Sequence, residues 1–445
     1  MAPCRRVGRV MASFRRVGRV MASFRRVGRM MASFRRLGGM VAVIAALPAH
    51  AATVEVAPGG LSAALDAAAP GDTLVLAPGA YRGGVVVARP VTVDGGGKAV
   101  VDGGGGGSVI RVAAPGVTLR GLTITGSGSD LQAMDSGVFL DRGADRAVVE
   151  GNRIEGNLFG VYLYGPEAAV VRGNTILGRT DPRMSERGNG VSVWNSPGSR
   201  VEDNDVRWGR DGIFTNASRD NVFAGNRFRD LRFAVHYMWT NDSRVTDNVS
   251  ERNHVGYALM YSRRIEATGN LSRDDRDHGL LMNYTFDSTV TGNAVVDGTG
   301  KCAFLYNAND NRFAGNWFQG CDIGIHFTAG SEGNAITGNA FVGNRTQIKY
   351  VGSRYLDWAA EGAGNYWSDN AAFDLDGDGL ADSAYRPNDL MDQVMWRHPL
   401  AKLLLASPAV RLVRWAQDRF PAMLPGGVVD TAPLMAPPRV EALTP

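Results

Sequence analysis

The chain has 445 residues, 44% hydrophobic and 21% charged, which excludes a disordered or collagen-like polymer. Its 57 glycines are nearly twice the usual share of roughly 7%, so turns are frequent and elements short. The formal charge of +4 arises in residues 1–51, which hold 11 Arg and no acid; the remainder sets 37 basic against 44 acidic residues, and the electrostatic basis for nucleic-acid binding disappears.

A ten-residue motif, MASFRRVGRV, recurs from Met11, Met21 and Met31, with a degenerate copy at Met1. Only the last copy runs into an apolar stretch, Met40 to Leu47, followed by the small-x-small triplet Ala49-His50-Ala51. Residues 1–51 therefore read as a signal peptide directing export. As a membrane anchor the stretch is far shorter than the ~20 residues a span requires. Cys4 belongs to this leader, which leaves Cys302 and Cys321 for one disulfide in an oxidising compartment, with free thiols or soft-metal ligation as the alternatives.

Leu61 to Ala69 has helical spacing and precedes Thr73-Leu-Val-Leu, read as the first strand, so it is expected to form an N-terminal lid. Beyond it, Gly-Asn or Asp-Asn pairs place Asn at 152, 174, 204, 226, 248, 270, 293, 316 and 339, with gaps of 22 or 23 residues and a single gap of 30. Looping out Thr180 to Arg187 restores the register. Each repeat holds short alternating runs such as Gly256-Tyr-Ala-Leu-Met, separated by polar turns. These patterns predict an all-β chain: a right-handed parallel β-helix (solenoid) over 52–360, of about ten to twelve coils, in which equal positions stack at about 4.8 Å. The recurrent Asn should form a structural inward ladder at a tight corner, helped by tolerance of left-handed backbone.

Alternation assigns Val191, Ile213, Val235, Tyr257, Leu280, Ala303 and Ile325 inward. The outward columns then hold Phe214, His236, Ala258, Leu281, Phe304 and His326, beside Trp194, Asn216, Met238, Met260, Asn283 and Tyr306. His236, Met238 and Met260 fall within ~5–7 Å of one another on this geometry. They form either a soft site for Cu(I) or part of a methionine and aromatic patch that docks a partner. His326 lies four coils away, roughly 19 Å, too far to share an ion with His236. A polar column of Asp211, Arg232, His254, Asp277, His278 and Lys301 precedes this strand. It suits a uronate-polymer lyase or epimerase, in which cations neutralise a carboxylate beside the abstracted proton; ordinary salt bridges explain it equally.

Residues 361–445 form a small, partly helical C-terminal extension. Asp374, Asp376, Asp378 and Asp382 surround a Gly turn with the spacing of a calcium loop, or of an acidic turn held by Asx hydrogen bonds. Two apolar helical stretches follow, at 389–406 and 408–419. The second is expected to cover the last coil or to insert beside a membrane partner, with Trp396, Trp415 and Phe420 as anchors.

The segments GNYWSD (364–369), DLDGDG (374–379), YRPNDLMDQVMWRHP (385–399) and SPAVRLVRWAQDRFPAMLPGGVVDTAPLM (407–435) resemble the NosD family, periplasmic maturation proteins of nitrous oxide reductase. The resemblance runs from about residue 53 to 435. It implies a non-catalytic periplasmic component that works with an ABC-transporter permease and ATPase, a copper-chaperone lipoprotein and the reductase itself in assembling copper centres. It also implies contact with the membrane only through the permease. An adjacent ATPase and permease gene would favour this reading over the sugar enzyme.

Overall fold

In a computed structural model, residues 51–360, 362–404, 407–420 and 427–443 are described. The leader repeat and signal-peptide expectation lie outside them. The described residues belong to one compact unit, a parallel β-solenoid with about fourteen turns. One face is a 12-stranded parallel sheet that begins at Val85–Val87 and ends at Thr346–Val351. The other two faces belong to a 24-stranded sheet, whose long early strands Thr92–Asp102 and Thr118–Thr125 each bend across both.

Stacking follows the repeat. Val191, Ile213, Val235, Tyr257, Leu280, Ala303 and Ile325 are successive register partners and all are buried, as the alternation predicts. The asparagines form a continuous buried ladder: Asn226 donates its backbone N–H and its side-chain Nδ2 to Asn248 Oδ1, both at 3.0 Å, and Asn248 does the same to Asn270. The left-handed corner residue is, however, the one before each Asn. Gly151, Gly173, Asp203, Gly225, Asp247 and Gly269 have φ between 54° and 66°, because glycine carries no Cβ and aspartate tolerates left-handed backbone. A Cβ on Gly225 would collide with Asp203 Oδ1.

The eight-residue insertion is a surface loop with one short 3-10 turn, Met184–Glu186. Cys302 and Cys321 are disulfide-bonded, their Cα atoms 5.7 Å apart.

Both ends differ from the expectation. Helix α1 (Leu61–Ala67) buries Leu61 and Leu65, one turn apart, against the core. It does not precede the first strand. Thr53–Val56 comes before it and pairs with Thr73–Leu76, since the alternating Thr-Val-Glu-Val already suits an edge rung. At the other end, Trp358 and Trp367 lie over Phe341 with ring centroids 6.2 and 4.4 Å away, and Tyr385 lies 4.9 Å from Trp367. Flat rings cover the open coil and the Leu356–Asp357/Val428–Val429 strand pair completes the cover. The helical segment that follows touches the last strand: Asn388 Nδ2 donates to Ile348 O at 2.7 Å and the Trp396 ring lies 6.0 Å from Lys349 Nζ. The predicted 389–406 helix is split into α2 (Leu390–Arg397) and a 3-10 turn, Pro399–Leu404, because proline has no N–H to continue the ladder. In α3 (Pro408–Arg419) Val410 and Gln417 are buried, whereas Leu412, Trp415 and the following Phe420 are exposed.

Candidate functional site

The 12-stranded sheet turns every second side chain outward, and its middle strands carry the chemistry. His236 lies on Phe233–Met238, in register with Phe214 on one side and Ala258 on the other. Because Ala258 is small, no bulky side chain stands over the imidazole from that neighbour. His236 is nonetheless largely covered: the rings of Phe233 and Phe214 lie 4.7 and 5.0 Å from it.

Asp211, almost wholly buried, organises the group. Arg232 grips its carboxylate with two bonds, at 2.7 and 2.6 Å, and His236 Nδ1 lies 3.1 Å from Oδ2. Burial works to raise the Asp211 pKa, but hydrogen bonds from His236 and Arg232 outweigh it and hold the carboxyl below the ordinary range. An ionised carboxylate only accepts, so Nδ1 carries a hydrogen, and in the neutral form of the ring Nε2 is the nitrogen with the lone pair. This is the carboxylate–imidazole arrangement that orients a metal-ligating histidine. Met238 and Met260 are direct register partners two residues further along the strands, both half-buried. One nitrogen and two thioethers suit Cu(I) as a ligand set.

The expected polar column separates into two groups. Asp211 and Arg232 belong with His236. Asp277 lies 3.8 Å from His254 Nε2 and 3.1 Å from His278 Nδ1, and Lys301 is the register partner of His278. Asp211 is consumed by its ion pair, so the column does not line one groove. The reason is the bend at the strand start, which sets Asp211, His278 and Lys301 in one file and Arg232, His254 and Asp277 in the turn before it.

An exposed aromatic file escaped the sequence reading. Trp239 and Tyr261 stack at 5.3 Å, and Tyr261 and Tyr284 at 5.2 Å, directly after the methionine positions. All three occupy left-handed backbone, with φ of 46°, 50° and 51°, a costly conformation for bulky side chains. Their spacing of 22 and 23 residues was the available signal.

In the acidic loop, carboxylate oxygens of Asp374, Asp376 and Asp378 lie within 4.8 Å of one another. Asp382 instead accepts the Leu375 N–H, and Asp374 accepts those of Gly377 and Gly379. These are the bonds of an Asx-stabilised turn. On the helical segment, Leu400 and Leu403 are 82% and 85% exposed, and Leu412, Trp415 and Phe420 are exposed as well. Among the described residues no helix is long and apolar enough to cross a membrane.

Residues 172–372 match the family model described as periplasmic copper-binding protein (NosD). A protein named probable ABC transporter binding protein NosD, from Stutzerimonas stutzeri, is 40% identical over 82% of this chain and 87% of its own length. Its namesake from Pseudomonas aeruginosa is 42% identical over 82% and 89%. Among solved structures, XylC in complex with xylose overlaps 74% of this chain and 87% of its own at 11% identity and a TM-score of 0.47. The Erwinia carotovora polygalacturonase overlaps 63% and 93% at 12% and 0.45. Likenesses this distant carry no argument about substrate.

Proposed function

The chain belongs to the NosD family, and on that premise we propose that it serves in the periplasm as the cargo-handling component of an ABC transporter. In this reading it docks the permease, with its ATPase, and a copper-chaperone lipoprotein. It passes copper, or a copper–sulfur precursor, toward the copper centres of nitrous oxide reductase. It does no catalysis of its own. The observation that carries the proposal is the Asp211–His236 bond beside the Met238–Met260 pair. It supports a pre-oriented soft-donor site on an outward face, where cargo can enter and leave.

Two further surfaces fit this role. The stack of Trp239, Tyr261 and Tyr284 next to the methionines favours a docking patch for a copper-carrying protein, because exposed aromatics and methionines are adaptable anchors. Leu400, Leu403, Leu412 and Trp415 favour the C-terminal helices as the permease contact. A calcium ion at Asp374, Asp376 and Asp378, with Asp382 tying the loop, would be structural; the family description names copper alone.

The test is Cu(I) titration of the mature protein against a His236→Ala, Met238→Ala, Met260→Ala variant. Loss of one equivalent in the variant supports the site. Equal stoichiometry sinks it and leaves only the docking role.

A further inference from the structure

The same sheet face carries a second cluster, beyond the reach of Asp211, in which two lysines stand without an ion-pair partner. His326 and Lys349 are register partners, and Phe304 is the partner of His326 on its other side. Lys301, on the strand of Phe304, sets its Nζ 5.1 Å from that ring, which itself lies 4.9 Å from the His326 imidazole. Lys349 Nζ lies 6.0 Å from the Trp396 ring. Among the described residues neither lysine has a carboxylate within 4.0 Å. Of the nearby acids, Asp322 is paired with Arg345 at 3.5 Å, and Asp277 faces His254 and His278 at 3.8 and 3.1 Å.

The His326 Nδ1 atom is buried and has no hydrogen-bond partner. Burial, then the charges of Lys349, Lys301 and His278, depress its pKa to about 4, so the ring is neutral at physiological pH. His278 lies on the far side of Phe304, 5.3 Å from that ring. The two imidazoles therefore do not converge on one metal ion. Half-buried ammonium groups with no ion-pair partner beside a neutral ring are stabilised by a negative ligand.

We infer that Lys301, Lys349 and His326 form a binding site for a small inorganic anion above Phe304. The lysines supply charge, and the neutral imidazole supplies one N–H donor. The site is independent of the copper reading, since none of its residues belongs to the His236 group.

The experiment titrates the mature protein with sodium phosphate and, separately, sodium sulfate by calorimetry, and follows the His326 ring by NMR over pH. One saturable site is expected. A Lys301→Gln, Lys349→Gln variant should bind at least about tenfold more weakly, while His236→Ala should bind like the parent. Bound phosphate should raise the His326 pKa, because it favours the protonated ring against Lys301, Lys349 and His278; Asp277, His254 and the Asp322–Arg345 pair are the other charges around the cluster. His326→Gln serves as a second variant that retains both ammonium groups, and it should lose affinity by a smaller factor. Unchanged affinity in the double-lysine variant, or a His326 titration unmoved by phosphate, overturns the inference.

Discussion

Asp430 closes the asparagine ladder at Asn365. Every amide in the file donates in one direction, from Asn152 through Asn339; at the end of the stack Asn365 Nδ2 still donates to Ile336 O at 2.9 Å, but its backbone N–H has no further asparagine to meet. Asp430 Oδ2 accepts the Asn365 backbone N–H at 2.7 Å and the Trp367 indole N–H at 2.7 Å, while Oδ1 accepts from Ala432. The positive end of an aligned row of amides thus meets a buried carboxylate, and the C-terminal segment is bound to the solenoid by it. Gly364 passes so close to this carboxylate that a Cβ there would overlap it.

Replacing Asp430 with Ala strands two buried donors, at about 1–3 kcal/mol each. Urea unfolding followed by tryptophan fluorescence should show a loss of about 3 kcal/mol or more, and a smaller one for Asp430→Asn. An unchanged midpoint for the alanine variant would remove the cap from the stability account.

Asp275 predicts a pH effect. It takes a corner position in line with Asn253, accepting that residue's N–H at 2.8 Å and hydroxyl bonds from Ser250 and Ser272, both 2.6 Å. Burial pushes its carboxyl up from 3.8 to about 6, beyond what those bonds offset. A raised carboxyl pKa favours the protonated native form, so its contribution is complete below the unfolded value and is lost as pH rises through about 6. The loss amounts to about 3 kcal/mol at neutral pH, as an order of magnitude. Asp275→Asn should therefore raise the melting temperature at neutral pH and flatten its pH dependence between about 4 and 6. Parallel melting curves for the two proteins across that range would contradict this.

Asp211→Asn leaves the nitrogen and both thioethers in place but weakens the hold on the imidazole. Copper affinity should fall about 10- to 100-fold, the range for lost orienting partners, with stoichiometry retained. A variant that binds as tightly as the parent in competition with a Cu(I) chelator would reduce Asp211 to a structural ion pair.

Removing the disulfide by Cys302→Ser and Cys321→Ser opens a loop of 19-residue separation, with an expected cost of roughly 3 kcal/mol. Chemical denaturation of the double variant, beside the reduced parent, measures it. Agreement between those two samples is the required control.

Leu403→Ser with Trp415→Ser should abolish co-purification with the permease while changing stability by no more than about 0.5 kcal/mol, since both side chains are largely exposed. Normal co-purification would move the transporter contact elsewhere on the chain.

Much of this arrangement was written in the periodicity. A spacing of 22 or 23 residues is a one-dimensional statement that equal positions stack, and strand alternation is a one-dimensional statement about faces; both follow from backbone geometry whatever the neighbours are. The inward file at Val235 and Tyr257, the Asn226–Asn248 bonds and the outward pairing of Met238 with Met260 were legible for that reason. The exposed file at Trp239, Tyr261 and Tyr284 carried the same periodic signal, hidden because its members take left-handed backbone that interrupts the strand alternation.

Relations that cross the repeat belonged to the folded chain alone. Asp211 and His236 are 25 residues apart, off the stacking period, and meet because one strand start bends outward beneath the next strand. Asn365 and Asp430, 65 apart, meet because the tail returns over the last coil. Sequence alone determined the rod and its faces, since local backbone geometry repeats. Tertiary structure decided which charges neutralise each other and which remain free, because electrostatic pairing depends on distance through space.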